Sequence, residues 1–138
     1  MATSIKQQVE FCAAYRLASP HYTDQENRAA YGPCFSENFH GHNFQLTVIV
    51  EGEVNPQSGM LVDYVLLSNI ISEQVLDHVD HKNLNLDVEF LQGVLPTSEN
   101  LCAAFWPRIA GQLPAGVSLK ELWLQESRDN SVIYSGPK

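Results

Sequence analysis

Between His40 and Glu51 the chain alternates strictly: His40, His42, Phe44, Leu46, Val48 and Val50 share one side of an extended backbone, while Asn43, Gln45, Thr47 and Glu51 share the other. A period of two fits a strand and no helix, so this segment belongs to a sheet that is apolar on one face and needs a cover on that face. A second alternation precedes it, with Val9, Phe11, Ala13, Tyr15 and Leu17 at odd positions predicting a strand over 9–17.

The cover comes from two helical patterns. Asp63 stands where an N-cap is needed, ahead of Val65, Leu66, Ile70, Val75 and Leu76 in a helix ending near His78. Pro96-Thr97-Ser98-Glu99 opens the second helix with a hydroxyl cap and an acid in its first turn, and Leu101, Phe105 and Ile109 follow at four-residue spacing. Leu119–Glu126 and Ser131–Ser135 read as two more strands joined around Arg128-Asp129-Asn130. The stretch from Ser19-Pro20 to Gly32-Pro33 is expected to be irregular loop. The order β-β-α-α-β-β predicts an α+β fold, a four-stranded antiparallel sheet with both helices on one face. With 138 residues, no repeat and no linker, residues 1–138 are expected to form a single domain.

Composition narrows the function. A formal net charge of -8, with eight scattered Lys and Arg residues, disfavours nucleic acid as a partner. No apolar run is long enough to cross a bilayer and Met1–Gln8 lacks a signal-type apolar core, so a cytoplasmic protein is expected. Cys12, Cys34 and Cys102 are odd in number and without a CxxC, which suggests reduced thiols rather than a disulfide framework.

The chemistry concentrates in few places. His40-Gly41-His42 puts two imidazoles on one side of a strand, where both can reach one cation. Cys34 lies six residues earlier in a Tyr-Gly-Pro-Cys turn, a candidate base or nucleophile, whereas Cys12 and Cys102 read as packing residues. Asp80-His81 is a carboxylate beside an imidazole in a polar loop, a pair suited to proton transfer if a thiol and a metal lie near it. Glu126 and Glu99 are acceptors able to hold the N–H groups of a heterocycle.

In order along the chain, Phe11-Cys-Ala-Ala-Tyr-Arg-Leu17, Glu26-Asn27, Tyr31-Gly-Pro-Cys34, His40-Gly-His-Asn43, Gly59-Met60, Asp80-His-Lys-Asn-Leu84, Thr97-Ser-Glu-Asn100 and Glu126 resemble the motifs of the 6-pyruvoyl-tetrahydropterin synthase family, which includes 6-carboxytetrahydropterin synthase. The resemblance implies a T-fold whose strands join into a barrel between subunits, with trimers stacked as a homohexamer and sites between chains. It implies Zn2+ on His40 and His42, catalysis by Cys34, Asp80 and His81, and a pterin held by Glu126, Glu99 and Thr97. The implied reaction is a zinc-dependent elimination of triphosphate from 7,8-dihydroneopterin triphosphate to give 6-pyruvoyl-tetrahydropterin. The five-residue gap between Cys34 and His40 resembles the pyruvoyl-forming rather than the carboxy-forming members, and an aldolase-like relative cleaving the same side chain stands as a further alternative.

One position departs from the pattern. Tyr15 stands where the family's first strand carries a third zinc-binding histidine. A catalytic zinc takes three protein ligands and one open position, so Tyr15 can ligate through its phenolate, His21 can reach in from the following loop, or zinc binding and catalysis are weakened or lost.

Overall fold

The computed structural model describes residues 2–138. Two thirteen-residue strands, β1 (Thr3–Tyr15) and β2 (His40–Gly52), pair antiparallel along their whole length, from Thr3 opposite Gly52 to Tyr15 opposite His40. Strands β4 (Val117–Ser127) and β5 (Asn130–Tyr134) extend the sheet antiparallel from β2. The expected four strands are therefore present, but a short β3 (Lys82–Asn83) adds a fifth, parallel to β1, in the order β3-β1-β2-β4-β5. The sheet is mixed rather than purely antiparallel. Local periodicity could not show this, because side chains and single backbone bonds hold β3: the Asp80 carboxylate accepts from the Cys12 N–H at 2.9 Å, and the Leu84 N–H donates to the Ala14 carbonyl at 2.8 Å.

The alternating residues of β1 and β2 point under the helices as their spacing predicts. Phe11, Tyr15, Phe44, Leu46, Val48 and Val50 are at most 2% exposed. Each such apolar side chain contributes about 1.5–3 kcal/mol on burial. Phe11 stacks on Phe44 at 4.8 Å between centroids and meets Phe105 edge-on at 6.1 Å. Phe105 belongs to the helix Ser98–Ala110, capped by Thr97, whose hydroxyl oxygen accepts from the Asn100 N–H. The other cover is one helical run from Tyr64 to Val79, loosened to a π-type turn over Ser72–Leu76 and capped by Asp63 as expected.

The segment 19–33 corrects the sequence expectation. It contains a two-turn helix, Asp24–Tyr31, started by a reciprocal cap: the Glu26 N–H donates to the Thr23 hydroxyl and the Thr23 N–H to the Glu26 carboxylate. Asn27 on this helix is 3% exposed and clamps Ser19, accepting from its N–H at 2.8 Å and donating to its carbonyl at 3.2 Å. A loop that began as irregular backbone is thereby fixed against the end of β1.

Candidate metal centre

His40 and His42 stand at the start of β2, and the residue between them must be small. A Cβ at Gly41 would stand 2.8 Å from the Ala13 carbonyl on β1, closer than real contacts allow. Gly41 thus lets β1 and β2 stay paired where the two imidazoles emerge. The third member comes from across the sheet. Glu126, near the end of β4, brings a carboxylate to the pair, and one ligand atom from each of His40, His42 and Glu126 lies within 4.8 Å of the others.

Three observations bear on whether this cluster suits a cation. His42 Nε2 and Glu126 Oε1 are 3.4 Å apart; two donors on a tetrahedral zinc with bonds near 2.05 Å stand about 3.4 Å apart. Both ring nitrogens of His40 are buried without a hydrogen-bond partner among the described residues, at a cost of roughly 1–3 kcal/mol per unsatisfied group that a bound cation would relieve at one of them. Burial first, and the neighbouring His40 second, hold His42 below its ordinary value, so its imidazole is kept neutral as a metal requires. Burial likewise pushes Glu126 above the ordinary carboxylate value. Burial thus works against the charged form of each group, and a divalent cation between them would offset that cost for the carboxylate. The residues fit a metal.

Tyr15, 2% exposed, packs its ring 4.4 Å from that of His40 and 5.9 Å from that of His42. It lines the histidine pair as an aromatic wall. His21 is exposed and lines a cavity of about 620 Å³ beside Pro20 and Asn85, outside the cluster. The second oxygen of Glu126 accepts from the Ser98 hydroxyl at 3.2 Å. Ser98 was not singled out in the sequence, although its place next to the Thr97 cap was legible; the Thr97 hydroxyl is itself occupied by the cap. Glu99 is exposed and borders a cleft of about 150 Å³ together with Ser98, Glu126 and Ser131.

Cys34 closes a 3-10 turn at Gly32–Cys34, and its carbonyl accepts from the Leu17 N–H at 2.8 Å, two residues past Tyr15. Its thiol is half-buried. Cys102, by contrast, is sealed in the core and pushed up to about 12, chiefly by burial and then by Glu99, which leaves it inert. Asp80 and His81 lie apart from the metal cluster, beyond β1 on its outer edge. His81 is 81% exposed and held at a positive φ of 61°, with Nδ1 3.0 Å from Asp80. The Cys12 N–H, and secondarily the bond to His81, lower the Asp80 carboxyl below its ordinary 3.8. A depressed carboxylate stabilises the fold above its unfolded value and loses that contribution as pH falls through the folded one. Urea midpoints of the parent and Asp80→Ala are therefore expected to differ at pH 7 and to converge as pH drops below 3.8; an unchanged gap would count against the carboxylate's role.

A T-fold with two strand-borne histidines and a carboxylate at the end of its sheet defines the class as a tetrahydropterin synthase-type protein. The family profile described as 6-pyruvoyl tetrahydropterin synthase matches residues 4–137. The chain is similar to the 6-pyruvoyl tetrahydrobiopterin synthase of Pongo abelii, 36% identical over 132 residues, covering 96% of this chain and 90% of that one. It is also similar to the dihydroneopterin monophosphate aldolase of Pyrococcus furiosus, 36% identical over 96 residues, or 70% of this chain and 77% of the other. The solved structure of Caenorhabditis elegans 6-pyruvoyl tetrahydropterin synthase superposes with a TM-score of 0.91 at 35% identity, covering 99% of this chain and 97% of that one. The chain belongs to the 6-pyruvoyl tetrahydropterin synthase family.

Proposed function

We propose that this chain is a zinc-dependent carbon–oxygen lyase that eliminates triphosphate from 7,8-dihydroneopterin triphosphate and yields 6-pyruvoyl-tetrahydropterin. The observation that carries the reading is the convergence of His40, His42 and Glu126 around two buried and unpartnered imidazole nitrogens. Zinc held there would bind the side-chain hydroxyls and acidify the carbons that bear them. Cys34 is the base that takes a proton from such a carbon. His81, oriented by Asp80, relays the proton in a neighbouring subunit's site, which accounts for its exposed side chain beside β3 on the outer side of β1. Glu99, and the Glu126 oxygen that Ser98 steadies, accept from the pterin's N–H groups, with Thr97 fixing the helix start that presents them.

Assembly as a homohexamer goes with this reading, because β1 has no partner on its outer side over 3–11 among the described residues and β5 closes the other edge unpaired. No helix is long and apolar enough to cross a membrane among the described residues, and the proposed setting is the cytoplasm. Incubation of the zinc-supplied protein with 7,8-dihydroneopterin triphosphate, followed by product analysis, tests the activity. Release of triphosphate with an intact three-carbon side chain is expected. A shortened side chain would instead indicate carboxy-forming or aldolase-like cleavage, and no turnover would leave a pterin-binding protein that Tyr15 has disabled.

A further inference from the structure

Next to the Cys34 turn two arginines converge on one aromatic ring. The guanidinium of Arg16 lies 4.6 Å from the Phe35 ring centre and that of Arg28 5.7 Å from it. Both line a cleft of about 520 Å³. In a chain of net charge -8 with only eight Lys and Arg residues, two guanidinium groups lining one cleft are a notable concentration of cations. Neither makes an ion pair among the described residues, although acids are at hand: Asp24 and Glu37 border the same cleft. Asp24 precedes Arg28 by one helical turn, the spacing that favours a surface pair, yet Arg28 turns to Phe35 instead.

Arg16 is held more firmly still. Its N–H donates to Asn85 Oδ1 at 2.8 Å, and Asn85 Nδ2 donates back to its carbonyl at 3.0 Å, so its backbone is clamped on both sides. Its Nε is buried and has no hydrogen-bond partner among the described residues. A buried, unpartnered fork donor is costly unless a ligand meets it, and the guanidinium fork matches phosphate oxygens two at a time. A carboxylate ligand would occupy one fork, whereas two forks facing one cleft suit an anion whose charge is spread over several oxygens.

The position agrees with a tail rather than a ring. Arg16 follows Tyr15 of the histidine cluster and Phe35 follows Cys34, and the Leu17 N–H bond to the Cys34 carbonyl ties the two segments together. We propose that Arg16 and Arg28, braced on Phe35, form a phosphoryl-binding subsite that receives the polyphosphate end of the substrate. The assignment of that anion to the substrate rests on the proposed lyase reading; the anion subsite itself does not.

Calorimetric titration of the full chain with inorganic triphosphate, in metal-free buffer, reads the subsite without turnover. The parent is expected to bind, more weakly as salt rises. Arg16→Gln and Arg28→Gln are each expected to weaken binding roughly tenfold or more, the loss that goes with a charge-assisted bond. Lys120→Gln, which removes an equal charge far from the cleft, serves as the control and should leave binding unchanged. Arg28 is exposed, so Arg28→Gln reports on binding even if Arg16→Gln disturbs the fold. Equal binding by the parent and Arg28→Gln, or no binding by the parent, overturns the subsite. With the phosphorylated pterin, both variants should raise KM far more than they lower kcat. Turnover with unchanged KM would sink the subsite and spare the lyase; arginine-dependent triphosphate binding without turnover would do the reverse.

Discussion

His40→Ala is expected to abolish tight zinc binding and, with it, every metal-dependent gain in stability, while leaving the metal-free fold nearly as stable as the parent. The two halves of this result come from one observation. Both His40 nitrogens are buried without hydrogen-bond partners among the described residues, so without a metal the side chain would carry an uncompensated desolvation cost of roughly 1–3 kcal/mol per group. Truncation removes that cost, which offsets much of the packing it loses against Tyr15. In the metal-bound state the same nitrogen is a ligand, and its loss should exceed the 10–100-fold that follows removal of a merely supporting partner. For a site filled at about a thousand times its Kd, linkage adds about 4 kcal/mol, or on the order of 10 °C or more in Tm for a domain of this size. Thermal melts with and without zinc, alongside metal analysis, check both halves. A parent whose Tm is indifferent to zinc would refute the metal centre, and a metal-free His40→Ala melting far below the parent would mean that His40 is a structural residue. Glu126→Gln should show an intermediate loss of zinc, since it keeps the shape and the Ser98 contact but gives up the charge.

Much of this arrangement was legible from residue order, and what was not has a common cause. The strand period from His40 to Val50 placed both imidazoles on the covered face together with Phe44 and Leu46, because alternation is a local property that packing rarely overrides. The caps at Asp63 and Thr97 were equally local. The helix at Asp24–Tyr31 was missed although its signal was present: Thr23 followed three residues later by Glu26 is a capping box, obscured by the flanking Pro20, Gly32 and Pro33. The meeting of Glu126 with His42 is different in kind. It depends on β4 pairing with β2 in the register that sets Gln125 opposite Gln45, a contact across 80 positions of sequence that no local pattern encodes. The same holds for β3, fixed by Asp80 and Asn85 on the edge of β1. Spacing identified the two histidines; only the register of the sheet supplied the carboxylate.

That carboxylate makes Tyr15→His the most informative single change. Tyr15 sits opposite His40 in the β1–β2 register and presses its ring on both imidazoles and on Phe44. An imidazole at this position would project from the same face toward the same point, giving the cluster a third nitrogen. The metal-free variant should be less stable than the parent by about 1–3 kcal/mol, because an aromatic residue that is 2% exposed is replaced by a smaller, more polar one. With zinc the order should reverse, since a tighter site contributes more stability at equal metal concentration. A further consequence concerns Glu126. One of its oxygens faces His42 and the other accepts from Ser98; on the proposed reading the second serves the substrate, while the first is given to the cation. A histidine at 15 takes over ligation and frees that oxygen for the pterin, so KM should fall along with the zinc Kd. Competitive zinc titration of the parent, Tyr15→His and His21→Ala measures this directly: the first substitution should tighten binding at least tenfold, and His21→Ala should leave it unchanged because His21 lies on a different cavity. If Tyr15→His binds zinc no better than the parent while His21→Ala loses it, ligation runs through the loop and the carboxylate belongs to the substrate alone.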